Sequence, residues 1–249
     1  MSFMSDENPY QSGFSADAHS AALADEWART TFIRRTYMHL AGAIGLFVLI
    51  ETMIFSLVPE AQLSNMLRWM MGGRWNWLLV LGAFMIVGTI ANNMAASARS
   101  LSTQYFGLGL YVLAESVIFV PLLFIAQHFA PGAIPAAGIM TAVVFSGLTA
   151  LVLVTKANFS WLGRYLALCG FAAIGLIICA AFFQGFNLGM WFSGAMVVLA
   201  GGYILYGTSN VLHRFGTDQY VAAALALFAS VALLFWYILQ IMISLRGRN

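Results

Sequence analysis

Charged side chains are scarce in this chain. Lys, Arg, Asp and Glu make up 8% of its 249 residues, against roughly 25% in an ordinary soluble domain. So little charge cannot cover a soluble surface, and a net charge of +2 is too small to point to nucleic acid or an acidic substrate. Cysteine is nearly absent. Cys169 and Cys179 lie ten residues apart in one apolar stretch, about 15 Å along a helix, which is too far for a disulfide. They read as small buried side chains. The four histidines, His19, His39, His128 and His213, contain no pair at metal-ligand spacing. There is no Gly-x-Ser-x-Gly elbow and no Walker-type phosphate loop. Ser193 beside Gly194 has the form of part of an intramembrane serine-protease site, but no apolar stretch carries a central His to serve as base. The reading is of a protein that is not an enzyme and needs no cofactor.

What the chain has instead is apolar length. Hydrophobic residues make up 61% of it, and the mean hydropathy is +0.86. Seven apolar stretches of roughly 17–25 residues follow residue 34, each about what a helix needs to cross a ~30 Å hydrocarbon core. They run over Tyr37–Leu57, Trp75–Ala91 (reaching toward Ala98), Phe106–Ile125, Ile134–Val154, Leu162–Phe183, Leu188–Tyr206 and Tyr220–Leu245. Trp69, Trp75, Trp77, Trp161 and Trp191 fall at the ends of these stretches, where the headgroup zone favours an amphipathic ring. The expected fold is all-α: a polytopic membrane protein built as a seven-helix bundle, occupying residues 31–249.

Residues 1–30 read as a polar, disordered, cytosolic tail. They carry Asp6, Glu7, Asp17, Asp25 and Glu26 and lack the basic-then-apolar order of a cleavable signal. With that tail inside, the inner segments hold seven basic residues (Arg29, Arg34, Arg35, Arg99, Lys156, Arg164, Arg214) and the outer ones four (Arg68, Arg74, Arg246, Arg248). The bias predicts an N-terminus in the cytosol and a C-terminus on the other side. The short uncharged connections after the third and fifth spans fit outer hairpins. Ala222, Ala226 and Ser230 form a small-residue stripe on the last span, which would let neighbouring helices approach closely.

Two carboxylates fall inside spans: Glu115 near the middle of the third and Glu51 in the outer part of the first. An acid at mid-bilayer costs on the order of 2.5–3.5 kcal/mol and turns to the bundle interior or a wet cavity. In a low-dielectric site the protonated form competes near neutral pH, so both are candidate ion- or proton-sensing groups. Pro121, six residues after Glu115, removes a backbone hydrogen bond from that helix. Asn92, Asn93, Arg99 and Gln104 gather at the inner end of the second span, as a solvated loop or the wall of a vestibule.

Three passages together carry a family resemblance. Phe32-Ile33-Arg34-Arg35-Thr36-Tyr37 leads into the first span. Tyr203-Ile204-Leu205-Tyr206-Gly207-Thr208-Ser209-Asn210 ends the sixth, and Asp218-Gln219-Tyr220 precedes a last span bearing Ala224-Leu225-Ala226-Leu227-Phe228. In this order they resemble the Bax inhibitor (TMBIM) family, in particular its bacterial YccA-like branch. The resemblance implies a central last helix wrapped by the others and a home in the bacterial inner membrane. It also implies one of two activities. One is non-enzymatic regulation of membrane proteins, such as a membrane protease, or of stress responses. The other is a pH-sensitive leak for calcium, other cations or protons. The expected partners are the lipid bilayer and other integral membrane proteins. In calcium-leak members two aspartates on the last two helices form a pH-sensitive latch. The matching positions here are Gly207 and Ser230, neither of which can ionise, so a carboxylate-pair latch cannot operate.

Overall fold

A computed structural model describes residues 25–97, 100–183 and 188–246. Within them the chain forms eight helices: α1 (Glu26–Leu57), α2 (Glu60–Met71), α3 (Arg74–Ala95), α4 (Leu101–Phe129), α5 (Ala133–Thr155), α6 (Leu162–Phe182), α7 (Gly189–His213) and α8 (Tyr220–Arg246). All but α2 are long and apolar enough to cross a membrane, and no strand occurs among the described residues. The protein is a polytopic helical membrane protein, as the apolar stretches predict. Arg99, the connection over 184–187 and most of the polar tail (1–24) lie outside the described residues.

α1 is longer than its apolar stretch. Its 32 residues begin at Glu26, ahead of Tyr37, and span about 48 Å at ~1.5 Å per residue. Its first turns therefore stand beyond a ~30 Å core. The helix stops where Pro59 forces the preceding Val58 into extended backbone (φ −88, ψ 123). Pro59 then opens α2, a short amphipathic helix that hydropathy alone does not separate. Leu63, Leu67 and Met70 recur at helical spacing and are buried. The first two pack with Val120 of α4 and the last turns of α1.

Contacts between helix ends establish that successive spans alternate in direction. His39 in the first half of α1 meets Tyr105 near the start of α4 and Tyr220 at the start of α8. At the opposite face, Glu60 of α2 lies 3.1 Å from His128 at the end of α4, and Trp75 of α3 stacks edge-on against Phe182 of α6 at 5.3 Å. α8 is the most buried span and packs against α1, α4, α5 and α7, so it forms the axis of the bundle. α3 and α4 are held close by Gly107, where a Cβ would stand 2.6 Å from the Ala91 carbonyl oxygen.

α6 lies at the rim. Leu168 and Phe171 are exposed on it, and so are Cys169 and Cys179, which corrects the expectation that both cysteines are buried. In lipid an outward face needs no polar residues, so an apolar helix at the rim reads like one in the core.

Candidate functional site

Glu115 stands at the midpoint of α4. Only 6% of it is exposed, and the hydroxyl of Tyr111, one turn earlier on the same face, lies beside its carboxylate. Ser116 donates back to the Val112 carbonyl at 3.0 Å, and α4 continues as helix through the buried Pro121. The carboxylate faces a cavity of about 810 Å³ enclosed by α3, α4, α6, α7 and α8. Its wall is largely aromatic and aliphatic, with Trp77, Phe84, Phe119, Phe192, Tyr203, Trp236 and Tyr237 joining Tyr111. Glu115 is the single charged side chain among the described lining residues. Toward the far end of α8, Ser193 donates to Gln240 Oε1 at 3.1 Å, and both residues line the same space.

The two latch positions part company. Ser230 lines the cavity with Glu115, and its hydroxyl donates to the Ala226 carbonyl of its own helix at 2.9 Å. Ala226 is half-buried and also faces the cavity, so this part of the small-residue stripe borders open space as well as neighbouring helices. Gly207 is buried on α7 outside that wall. A Cβ there would meet Leu227 Cδ2 at 3.2 Å, so the position serves close approach of α7 and α8.

Glu51 does not join the cavity. It is 6% exposed, and neither carboxylate oxygen has a hydrogen-bond partner. One turn before it, Phe47 packs against Phe119 at 5.1 Å and Phe228 at 6.2 Å. Phe119 lies one turn after Glu115 on a helix parallel to α1. The two acids are thus offset by about 12 Å along the axis, with an aromatic layer between them. Asn92 and Asn93 are exposed, and Gln104 donates to the Ser97 carbonyl at 3.0 Å, so these residues close a helix connection and take no part in the cavity wall.

Sequence reasoning missed two features. Gln240 and most of the aromatic wall carry no local signal, because only the bundle brings five helices to one space. The other is a buried polar cluster in which the hydroxyls of Tyr37, Thr149 of α5 and Thr208 of α7 lie near one another without a hydrogen bond. Beside it the Phe159 N–H donates to Ser209 Oγ at 2.8 Å. The segment Thr208-Ser209-Asn210 is buried and ties the α5–α6 connection to α7.

Among the described residues no histidine lies near Ser193. His39, His128 and His213 bond to Tyr105, Glu60 and the Ser209 carbonyl respectively. Among the described residues no group of three or more His, Cys, Asp or Glu could hold a metal.

Six spans wrapped around the seventh, with a single acid facing an aromatic cavity, define a small polytopic bundle whose identity lies in its core. The family model described as "Inhibitor of apoptosis-promoting Bax1" matches residues 29–247. The chain belongs to the Bax inhibitor family. It is similar to an uncharacterised protein of Pseudomonas aeruginosa, 36% identical over 102 residues, 41% of this chain and 46% of that one. An uncharacterised protein of Neisseria meningitidis is 30% identical over 72% of this chain and 78% of its own length. Bax inhibitor 1 of Schizosaccharomyces pombe is 26% identical over 98% of this chain and 87% of its own. No solved structure matches.

Proposed function

We propose that this protein is a non-enzymatic regulator of other integral membrane proteins, a membrane protease or a stress-response component among them. It would act from a bacterial inner membrane with its N-terminus in the cytosol. The observation that carries the reading is the state of the latch positions. Gly207 has no side chain and sits against Leu227, and the Ser230 hydroxyl bonds to its own helix; neither residue carries an ionisable group, so neither can gate a pathway by ionising. The relatives from Pseudomonas and Neisseria and the seven-to-four split of basic residues support the location and orientation. The test is the turnover of a membrane-protease substrate, measured in cells with and without this protein and again with purified protease and this protein in nanodiscs. A changed rate in both supports the reading, and an unchanged rate in both refutes it.

One observation favours a second reading, a cation or proton leak: Glu115 is buried at mid-helix and faces a cavity. In that case liposomes would show cation flux that changes between about pH 6 and pH 8, and Glu115→Gln would abolish the change by removing the titrating group. Flux whose pH response survives Glu115→Gln excludes Glu115, and no flux from either protein leaves the regulator reading alone.

A further inference from the structure

The cavity combines features that together specify a ligand chemistry. Its volume of about 810 Å³ lies in the ~300–1,000 Å³ range of small-molecule sites. Its wall holds eight aromatic rings and one carboxylate, with no Lys, Arg or His among the described lining residues. Aromatic faces attract cations, and a buried carboxylate with no cationic side chain among the described lining residues has room for a positive partner.

Access follows from the packing of α3 and α6. At one face these helices are clasped by Trp75 and Phe182. Further along, Met85 of α3 and Ile174 of α6 line the cavity while being themselves 49% and 37% exposed. They stand about 12–15 Å along their helices from that clasp. The cavity therefore opens sideways between α3 and α6, at a depth occupied by lipid chains. A small hydrated metal ion has no polar route through such an opening. An apolar body bearing a delocalised or shielded charge does.

We propose that this cavity is a binding site for lipophilic organic cations, with the positive centre against Glu115 and the apolar body among Phe84, Tyr111, Phe119 and Trp236. The site goes beyond the regulatory reading and does not depend on it.

Tetraphenylphosphonium is the probe: permanently charged, apolar and similar in shape to the tetraphenylborate anion and to neutral triphenylphosphine oxide. Equilibrium binding of the radiolabelled cation is measured on the full chain in phospholipid nanodiscs, with empty nanodiscs as the blank. The wild type should bind it saturably, the neutral compound should not compete at equal concentration, and the anion, measured alone because it would pair with the cation, should not bind saturably. Glu115→Gln should weaken binding about tenfold or more, while Glu60→Gln, which removes an exposed acid outside the cavity, should leave it unchanged. Thermal melting and gel filtration report whether Glu115→Gln folds. If it does not, the competition series on the wild type decides alone. Equal competition by the neutral compound, or equal saturable binding of the anion measured alone, would overturn the proposal by making the site one of shape only. Binding in detergent that vanishes in nanodiscs would assign the cavity to acyl chains and overturn it too. So would full affinity in a folded Glu115→Gln protein.

Discussion

The close approach of α3 and α4 at Gly107 can be tested by two substitutions on opposite faces of α4. At Gly107 an added Cβ would stand 2.6 Å from the Ala91 carbonyl oxygen, 2.7 Å from the Ala95 nitrogen and 2.9 Å from Met94 Cβ. Ordinary contact begins near 3.4 Å, and two of the three atoms are backbone that cannot rotate away. Gly107→Ala must therefore push α3 and α4 apart by about 0.8 Å over the contact, or distort one of them. Overpacking of this kind costs about 1–3 kcal/mol. Helix propensity returns about 1 kcal/mol, since alanine is the better helix former. At Gly109 an added Cβ meets nothing within 4 Å, so Gly109→Ala keeps the propensity gain and suffers no clash. Relative to Gly109→Ala, Gly107→Ala should be less stable by about 1–3 kcal/mol. The assay is thermal unfolding in one detergent, followed by helical circular dichroism. Gly107→Ala should melt below wild type, and Gly109→Ala at or above it. A Gly107→Ala protein that melts with Gly109→Ala would refute the close α3–α4 packing.

Four further outcomes follow from the same geometry. Ala226→Phe projects into the cavity, so it should fold and melt near wild type, yet compete with tetraphenylphosphonium for space and weaken its binding. Ser209→Ala strands the Phe159 N–H that now donates to it at 2.8 Å, which should cost about 1–3 kcal/mol and speed proteolysis of the 156–161 connection. Cys169 and Cys179, both exposed on α6, should react in native liposomes with a lipid-soluble maleimide; protection of both would move α6 into the core. Single cysteines placed at Ser12 and Asn249 should label from opposite sides of the membrane, and labelling of both from the same side would refute the proposed topology.

The spans were legible in the sequence because the bilayer imposes them: an apolar run of membrane length has one stable environment, and hydropathy reports it without knowledge of any neighbour. The same reasoning singled out Glu115, since an acid at mid-helix must find a polar or cationic environment inside the bundle. It could not show which surroundings Glu115 and Glu51 would each meet. Both are carboxylates in apolar helices, and only the packing turns one into an aromatic cavity and leaves the other unpartnered across the Phe47–Phe119 layer. Nor could it find α2, whose three buried residues make too short a pattern to stand out beside membrane spans. The rim position of α6 was equally hidden, because lipid and protein core present the same apolar surroundings to a side chain. What a single helix must satisfy is written locally along the chain; which helix it faces depends on contacts among residues far apart in sequence, and these exist only once the bundle has assembled.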